Sequence, residues 1–372
     1  ELDLLVALGV PLVNVLGFAA PEVAANYRRA LDVARKLGDR QDLFGILDGL
    51  HGYYVIRDEI RTGFELAEQM QRIAEQSGDP TLLLEASHVL GCSHFRLGNH
   101  AEGIAHLERA IALYDSPESG DTLAFSGHDS KVCCLAHLAI ALWMTGRPER
   151  ALARSREAVA LGERLGHPSS LLPAEVYLAW LHEFRAEPEA AREIAERAAA
   201  RAREHGLAYW VVVAGFFLGE GSERSGGSSA DDPFGRMHRL FARAVAAWRA
   251  RERSEGLDAV DSALALAAEH GEGYLEAEFL RLRGELLLLA DDPAARPLAL
   301  AAFLAAEATA RRQGAAMFEL RALTSRAERR AWGEEWREAI PKLAALCRGL
   351  PDLRGSRELA KASAILDAES TG

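Results

Sequence analysis

The chain is poor in cysteine, in aromatic residues and in unbroken apolar stretches, and each shortage excludes something. Four cysteines (Cys92, Cys133, Cys134, Cys347) in 372 residues are too few for a disulfide framework, and the adjacent pair Cys133–Cys134 does not readily bridge itself. These thiols are expected as small buried hydrophobes in a reducing, cytoplasmic setting. The apolar run Tyr209–Gly219 is far short of the ~20 residues that cross a bilayer. No basic-then-apolar leader opens the chain, so neither membrane insertion nor export is expected. Positive charge is also short: 43 Lys+Arg stand against 55 Asp+Glu, a net charge of −12. The Arg-rich stretches 249–253, 311–312 and 326–330 are interleaved with Glu or Ala and read as solvated faces. Nucleic-acid binding, which needs clustered cations against phosphate, is therefore not expected.

Catalytic signatures are missing too. There is no GxxxxGK[ST], HExxH, CxxC or GxSxG, and the glycine-rich 219–227 segment lacks both the lysine and a preceding strand. The only β-branched run is Val211–Val213. The chain starts Glu1-Leu2-Asp3 rather than with Met, which is read as a piece of a longer polypeptide or a processed product.

What is present is repetition. The segment Gly98-Asn-His-Ala-Glu-Gly-Ile-Ala-His-Leu-Glu-Arg-Ala returns in pattern from Gly146, from Ala186 and, upstream, from Asp58. The small residue five places into each copy falls at Gly63, Gly103, Ala151 and Ala191, at steps of 40, 48 and 40, the long step holding an insertion over 115–129. Each unit of about 40 residues reads as two amphipathic helices. In 148–165 the stripe is Ala151, Leu152, Ala158, Val159 and Leu165, Pro148 suits a helix start, and Glu193/Arg197 is a wet-face i,i+4 pair. Breakers at Gly38-Asp39, Gly78-Asp79-Pro80 and Gly166-His167-Pro168 end helices. The small column is expected where paired helices cross, because a large side chain there would force the backbones apart. After a Gly/Ser/Asp stretch at 219–233, expected as a surface loop, helices resume at 234–251, 255–270, 274–290, 298–313, 317–332 and 336–347. A terminal helix near 356–368 reads as a cap.

The fold class expected is therefore all-α: a TPR-like (tetratricopeptide-repeat-like) α-solenoid, a right-handed superhelix of antiparallel helix pairs. Its domains would be repeats over 1–218, the 219–233 loop, and repeats with a capping helix over 234–372. On the tetratricopeptide pattern Gly91 and Gly98 fall on the helix-A glycines, and Gly103 and Ala110 on the small residues of helix B. Ala139, Gly146, Ala151 and Ala158 fill the same places in the next unit. A narrower likeness rests on residues 17–23 (GFAAPEV), 83–91 (LLEASHVLG), 274–288 (YLEAEFLRLRGELLL) and above all 129–158, with Cys133, Cys134, Trp143 and Gly146. Over nearly its whole length the chain resembles the C-terminal TPR region of bacterial STAND-type ATPases, signalling proteins often fused to class III adenylate/guanylate cyclase or protein kinase domains. It departs from that pattern around 216–252, where the Gly/Ser stretch stands in place of two further helices. The resemblance implies that ATP hydrolysis and nucleotide cyclisation sit on domains outside this chain, and that an N-terminal ATPase domain is a possible intramolecular partner.

The function expected is thus a non-catalytic scaffold or sensor for a protein or peptide partner, with no cofactor. The partner would contact the concave face of the A helices at Glu85, His88, Cys92, Arg96, Trp143, Met144, Trp180 and Glu183. The rival readings are a catalytic, metal-dependent α-solenoid and a self-assembly module. For the former, His88/Cys92 and Cys133/His137 are i,i+4 pairs on successive A helices that could make a Cys2His2 set. The helical register, however, puts His137 on a different face from the packing partners of Cys133, so no metal is expected and the thiols are read as core. Asp129 is expected to cap the helix that follows it, and Trp143 and Trp180 to be core or groove wall.

Overall fold

The computed structural model describes residues 1–17, 19–37, 43–116, 127–218, 235–290, 292–353 and 356–370. The expected breaker at Gly38-Asp39, most of the 115–129 insertion and the 219–233 stretch lie outside these. Among the described residues every regular element is helical. The first series is α1 (Leu2–Leu16), α2 (Pro21–Leu37), α3 (Leu43–Ile56), α4 (Ile60–Ser77), α5 (Pro80–Leu97), α6 (His100–Tyr114), α7 (Ser130–Met144), α8 (Pro148–Leu165), α9 (Pro168–Phe184), α10 (Pro188–Glu204) and α11 (Ala208–Gly215). The second is α12 (Arg236–Ala250), α13 (Arg253–His270), α14 (Glu276–Leu287), α15 (Arg296–Gln313), α16 (Ala316–Ala327), α17 (Glu334–Arg337), α18 (Ala339–Gly349) and α19 (Arg357–Ser370). The expected helix over 317–332 stops at Ala327, and a 3-10 turn at Arg330–Trp332 and the short α17 follow it.

These helices form TPR-like hairpins, A then B, in which sequence neighbours such as α3 and α4, α9 and α10, and α14 and α15 pack on each other. The two kinds differ in burial for a physical reason. B helices carry one apolar stripe: α4 buries Ile60, Gly63, Ala67, Met70 and Ala74 and leaves its other face wet. A helices are covered on most sides, so α5 buries an unbroken run from Leu84 to Ser93. Capping fixes the starts. Pro80, Pro148, Pro168 and Pro188 open their helices, and Asp79 Oδ1 accepts the N–H groups of Thr81 (2.7 Å) and Leu82 (3.2 Å). Asp129 Oδ1 accepts that of Val132 at 2.9 Å, the cap expected for α7.

The repeat has a backbone signature sharper than its sequence. The residue five places before each small residue has a positive φ: Asp58 (63°), Gly98 (84°), Gly146 (84°) and Ala186 (58°). The following N–H bonds back five residues, Glu59 to Tyr54 O, Arg147 to Leu142 O and Glu187 to His182 O, each at 2.9 Å. This is the Schellman closure of helix A, and it sets the angle at which helix B departs. Arg251 (φ 61°) and the Glu252 N–H to Ala247 O bond at 2.8 Å repeat it before Gly256, a further copy that the sequence pattern had not disclosed. At the crossings, a Cβ on Gly63 would lie 2.6 Å from Val55 Cγ2, and one on Gly103 would lie 3.1 Å from Phe95 N and 3.3 Å from Gly91 O. Ala151 and Ala191 are fully buried at the same place.

The described chain divides into two compact units. One comprises Glu1–Leu97, Ala101–Ile140 and Leu152–Arg236; the other comprises Gly98–His100, Ala141–Ala151 and Met237–Gly372. The first is built around apolar clusters such as Phe44, Leu47, Ala67, Met70, Val89 and Leu90. The second buries charge as well: Arg281 sits between Glu278 (2.9 Å) and Glu285 (3.6 Å). Arg326, expected on a solvated face, is fully buried and bonds Glu307 at 2.6 Å. The Arg-rich 326–330 stretch is thus only partly a wet surface, because helix α16, one of the covered helices, presents Arg326 inward to a carboxylate that neutralises it.

Two substitutions test this geometry. Ala186→Gly removes a Cβ from a left-handed position and should stabilise by up to ~1 kcal/mol, read as a higher urea midpoint. Gly103→Val inserts bulk against backbone and should cost on the order of 2–3 kcal/mol. Equal midpoints for all three proteins would contradict the crossing geometry.

Candidate functional site

The interior of the first unit is most polar where α3, α5 and α7 meet. Helix α3 supplies Asp48 and His51, α5 supplies Glu85, His88, Cys92 and Ser93, and α7 supplies Ser130, Cys133, Cys134 and, half-buried, His137; all but His137 are buried. The covered A helices force these groups to satisfy one another. Glu85 is the hub: its Oε1 lies 2.8 Å from His88 Nδ1, and its Oε2 accepts the Ser130 hydroxyl at 2.5 Å. His51 Nε2 lies 3.0 Å from Ser93 Oγ. The His128 ring meets that of His88 edge-on, with centroids 5.6 Å apart. His137 places Nδ1 3.0 Å from the Cys133 carbonyl oxygen and 3.5 Å from its Sγ, and Nε2 2.7 Å from the Tyr177 hydroxyl of α9. A single tautomer serves these contacts: Nδ1–H donates toward Cys133, and Nε2 accepts the Tyr177 proton.

Burial and charge pull these groups apart in proton affinity. Burial, reinforced by the Glu85 charge, raises the Asp48 carboxyl to about 8. Burial, with the His88 charge beside it, lowers His51 to about 3. At Glu85 burial pushes upward, but the His88 charge and the hydrogen bonds from His88 and Ser130 outweigh it and hold the carboxyl below its ordinary value. Burial alone would lower His88; Glu85 and the neighbouring thiols instead hold it well above the usual imidazole value. Burial raises the Cys92 thiol, yet hydrogen bonds with Cys133 and His88 and the His88 charge bring it down to about 6. Cys134, with burial as its largest influence, is pushed well up.

Of the eight expected partner contacts, the structure covers six. Glu85, His88 and Cys92 belong to the buried cluster just described. Trp180 is 3% exposed, set between the rings of Tyr177 (5.7 Å) and Phe184 (5.5 Å). Trp143 and Met144 fall in the second unit and are 1% and 0% exposed. The Arg321 guanidinium lies 4.8 Å over the Trp143 ring, which is edge-on to Phe318. The reason is the one that covers α5: the inward stripe of these A helices is packed against neighbours rather than left as a groove floor. Arg96 and Glu183 remain half-exposed, with Arg96 bonded to the buried Asp58 at 3.2 Å. The i,i+4 sequence pattern found His88, Cys92 and Cys133. It missed Asp48, His51, Ser93 and Ser130, which no local spacing links to them; Asp48 and His51 stand 37 and 34 residues before Glu85 in a helix without other charge.

No known protein-family profile matches the chain. A curated relative, an uncharacterized protein of Rhizobium meliloti (strain 1021), is 28% identical over 207 residues, 54% of this chain and 20% of that protein. The match thus spans about a fifth of the relative's length. Among solved structures, the chain aligns with a Rap protein complexed with competence and sporulation factor at 14% identity and a TM-score of 0.48, covering 97% of this chain and 89% of that one. It aligns with aspartyl phosphate phosphatase F from Bacillus subtilis at 12% identity and 0.40, covering 90% and 77%. With yeast Tom70 the values are 12% and 0.34, covering 100% and 96%.

The buried Asp48 gives a signed prediction. Its folded-state proton affinity exceeds that of the unfolded chain, so its contribution is intact near pH 4 and is lost as pH rises toward 8. Asp48→Asn should therefore stabilise at pH 7 by on the order of 2 kcal/mol, with the gain vanishing toward pH 4. Thermal midpoints across that range check it, and a variant less stable at pH 7 than the parent would contradict it.

Proposed function

We propose that the chain is a non-catalytic, TPR-like interaction scaffold that receives a protein or peptide partner on its A-helix side. The observation that carries this reading is the repeated hairpin itself, with the same closure at Asp58, Gly146, Ala186 and Arg251. Within a unit, successive hairpins present side chains of neighbouring helices along an extended surface, which suits an elongated partner better than a small substrate. The groups available to such a partner on the A helices of the first unit are those with partial exposure, among them Arg96, His137 and Glu183. Trp143 and Met144, being covered, act in this reading as supports.

The resemblance carried by residues 129–158 and 274–288 adds the finer reading. These repeats, 1–218 and 234–372 around the 219–233 stretch, serve as the sensing arm of a longer bacterial signalling protein and act on an attached ATPase, cyclase or kinase domain. That the curated relative is about five times longer than the matched region agrees with an arm carried by a larger protein. No helix among the described residues is long and apolar enough to cross a membrane, so the partner is sought in aqueous solution.

A photo-crosslinking residue placed at His137 or Glu183 in the intact gene product should capture a polypeptide, either a separate protein or the chain's own preceding domain. The same group at Arg156 or Glu193, exposed on B helices, should not. Equal capture at all four positions, or none at any, would overturn the reading.

A further inference from the structure

Within the polar interior of the first unit, three side chains bring metal-ligating atoms together. His88 and Cys92, one turn apart on α5, and Cys133 on α7 each bring one ligating atom into a group whose members lie within 4.8 Å of one another. All three are buried, at 4%, 8% and 9% exposure. A zinc ion with Zn–S bonds of ~2.3 Å and Zn–N bonds of ~2.0 Å at tetrahedral angles holds its ligand atoms roughly 3.5–3.8 Å apart. The observed grouping is therefore within a small side-chain adjustment of a coordination shell.

The surroundings complete the chemistry. Glu85 Oε1 lies 2.8 Å from His88 Nδ1, which holds the Nδ1–H toward the carboxylate and leaves Nε2 as the nitrogen that would ligate once it gives up its proton. A carboxylate behind the non-ligating nitrogen is the arrangement that orients metal-binding histidines. Glu85 is itself held by Ser130 at 2.5 Å, so this orienting group is rigid. His137 does not join the set: its two ring nitrogens are engaged by Cys133 and by Tyr177. Its Nδ1 at 3.5 Å from Cys133 Sγ instead offers a hydrogen bond to a thiolate there. The Cys2His2 combination that spacing alone suggests is thus replaced by one histidine and two cysteines.

We propose that His88, Cys92 and Cys133 form a binding site for Zn²⁺, with Glu85 as the orienting carboxylate and the fourth coordination position taken by water or an added ligand. Two soft sulfur ligands and one imidazole select a thiophilic ion over Mg²⁺ or Ca²⁺. On binding, the protons carried by the Cys92 and Cys133 thiols and by His88 Nε2 leave to solvent, so that two thiolates and a neutral imidazole coordinate, and no redox step is involved. The ion would fasten α5 to α7 across the repeat step of 48 residues rather than 40, where the inserted residues otherwise lengthen the connection between the two helices.

The test uses the whole 372-residue chain, reduced and stripped with a chelator, with zinc chloride as the only added ligand. Native mass spectrometry should find one zinc per chain, and added zinc should raise the unfolding temperature and protect two thiols from alkylation, identified as Cys92 and Cys133 by peptide mapping. Cys347→Ser should behave as the parent. Cys133→Ser should weaken binding at least 100-fold, and Glu85→Gln, which keeps every ligand atom, should weaken it 10- to 100-fold. Circular dichroism establishes that each variant is folded. If Cys133→Ser does not fold, the alkylation map of the parent and the Glu85→Gln titration decide alone. Absence of stoichiometric zinc from the parent, protection of other cysteines, or unchanged affinity in folded Glu85→Gln would overturn the proposal. None of these outcomes bears on partner capture at the half-exposed surface.

Discussion

At Gly103 the B helix comes so close to its A helix that an added Cβ would stand 3.1 Å from a backbone nitrogen. The rest of the structure follows from that approach. Backbones that near each other leave no room for side chains at the crossing, so the column must be glycine or alanine. In return, the flanking residues interdigitate at the density of a protein interior. The approach is possible only if helix B leaves helix A at a fixed angle, which the left-handed residue five places earlier provides. Where that residue is glycine the turn is unstrained; where it is Asp58, Ala186 or Arg251, the packing beyond it holds a backbone conformation that those residues disfavour.

One consequence is that the two helices of a hairpin live in different solvents. Helix B keeps a wet face, whereas A helices such as α5 are covered on most sides. Polar residues on the covered sides of A helices therefore cannot turn to water and must find partners among themselves. In the first unit they do so around Glu85 and His88, and in the second around Glu278, Arg281 and Glu285. A buried ion pair is at best neutral for stability when compared with apolar residues of equal volume. The concentration of such groups on α3, α5 and α7 thus asks for an explanation other than folding. Ion binding supplies one for His88, Cys92 and Cys133 and leaves the half-exposed surface free for a partner.

Much of this was legible in the residues themselves, because the hairpin is a local device. Periodicity located α8 (148–165) and, in the second series, α12, α13 and α15 to within two residues, and the phase kept between turn and small residue marked four copies. The copy at Arg251 escaped because its turn residue is a long cation instead of glycine, and because 65 residues separate it from Ala186. The site was legible only in fragments. An i,i+4 spacing brings His88 and Cys92 together, but whether Cys133 or His137 turns toward them depends on how α7 rotates against α5. Exposure was misjudged at Met144, and of the two places expected for Trp143 and Trp180, core or groove wall, the structure gives the core, for a related reason. The pattern says which face of an A helix is apolar or aromatic, and it does not say that a neighbour covers that face.

Amide hydrogen exchange in the native protein tests the crossing most directly. First-turn amides of a helix ordinarily fray and exchange fast. Here the N–H groups of Gly63, Ala151, Ala191 and Gly256 bond to carbonyls four residues back beneath a tightly packed A helix. The account predicts that these four exchange as slowly as amides at the centres of their own helices; exchange at the rate of the solvent-facing first-turn amides would contradict it.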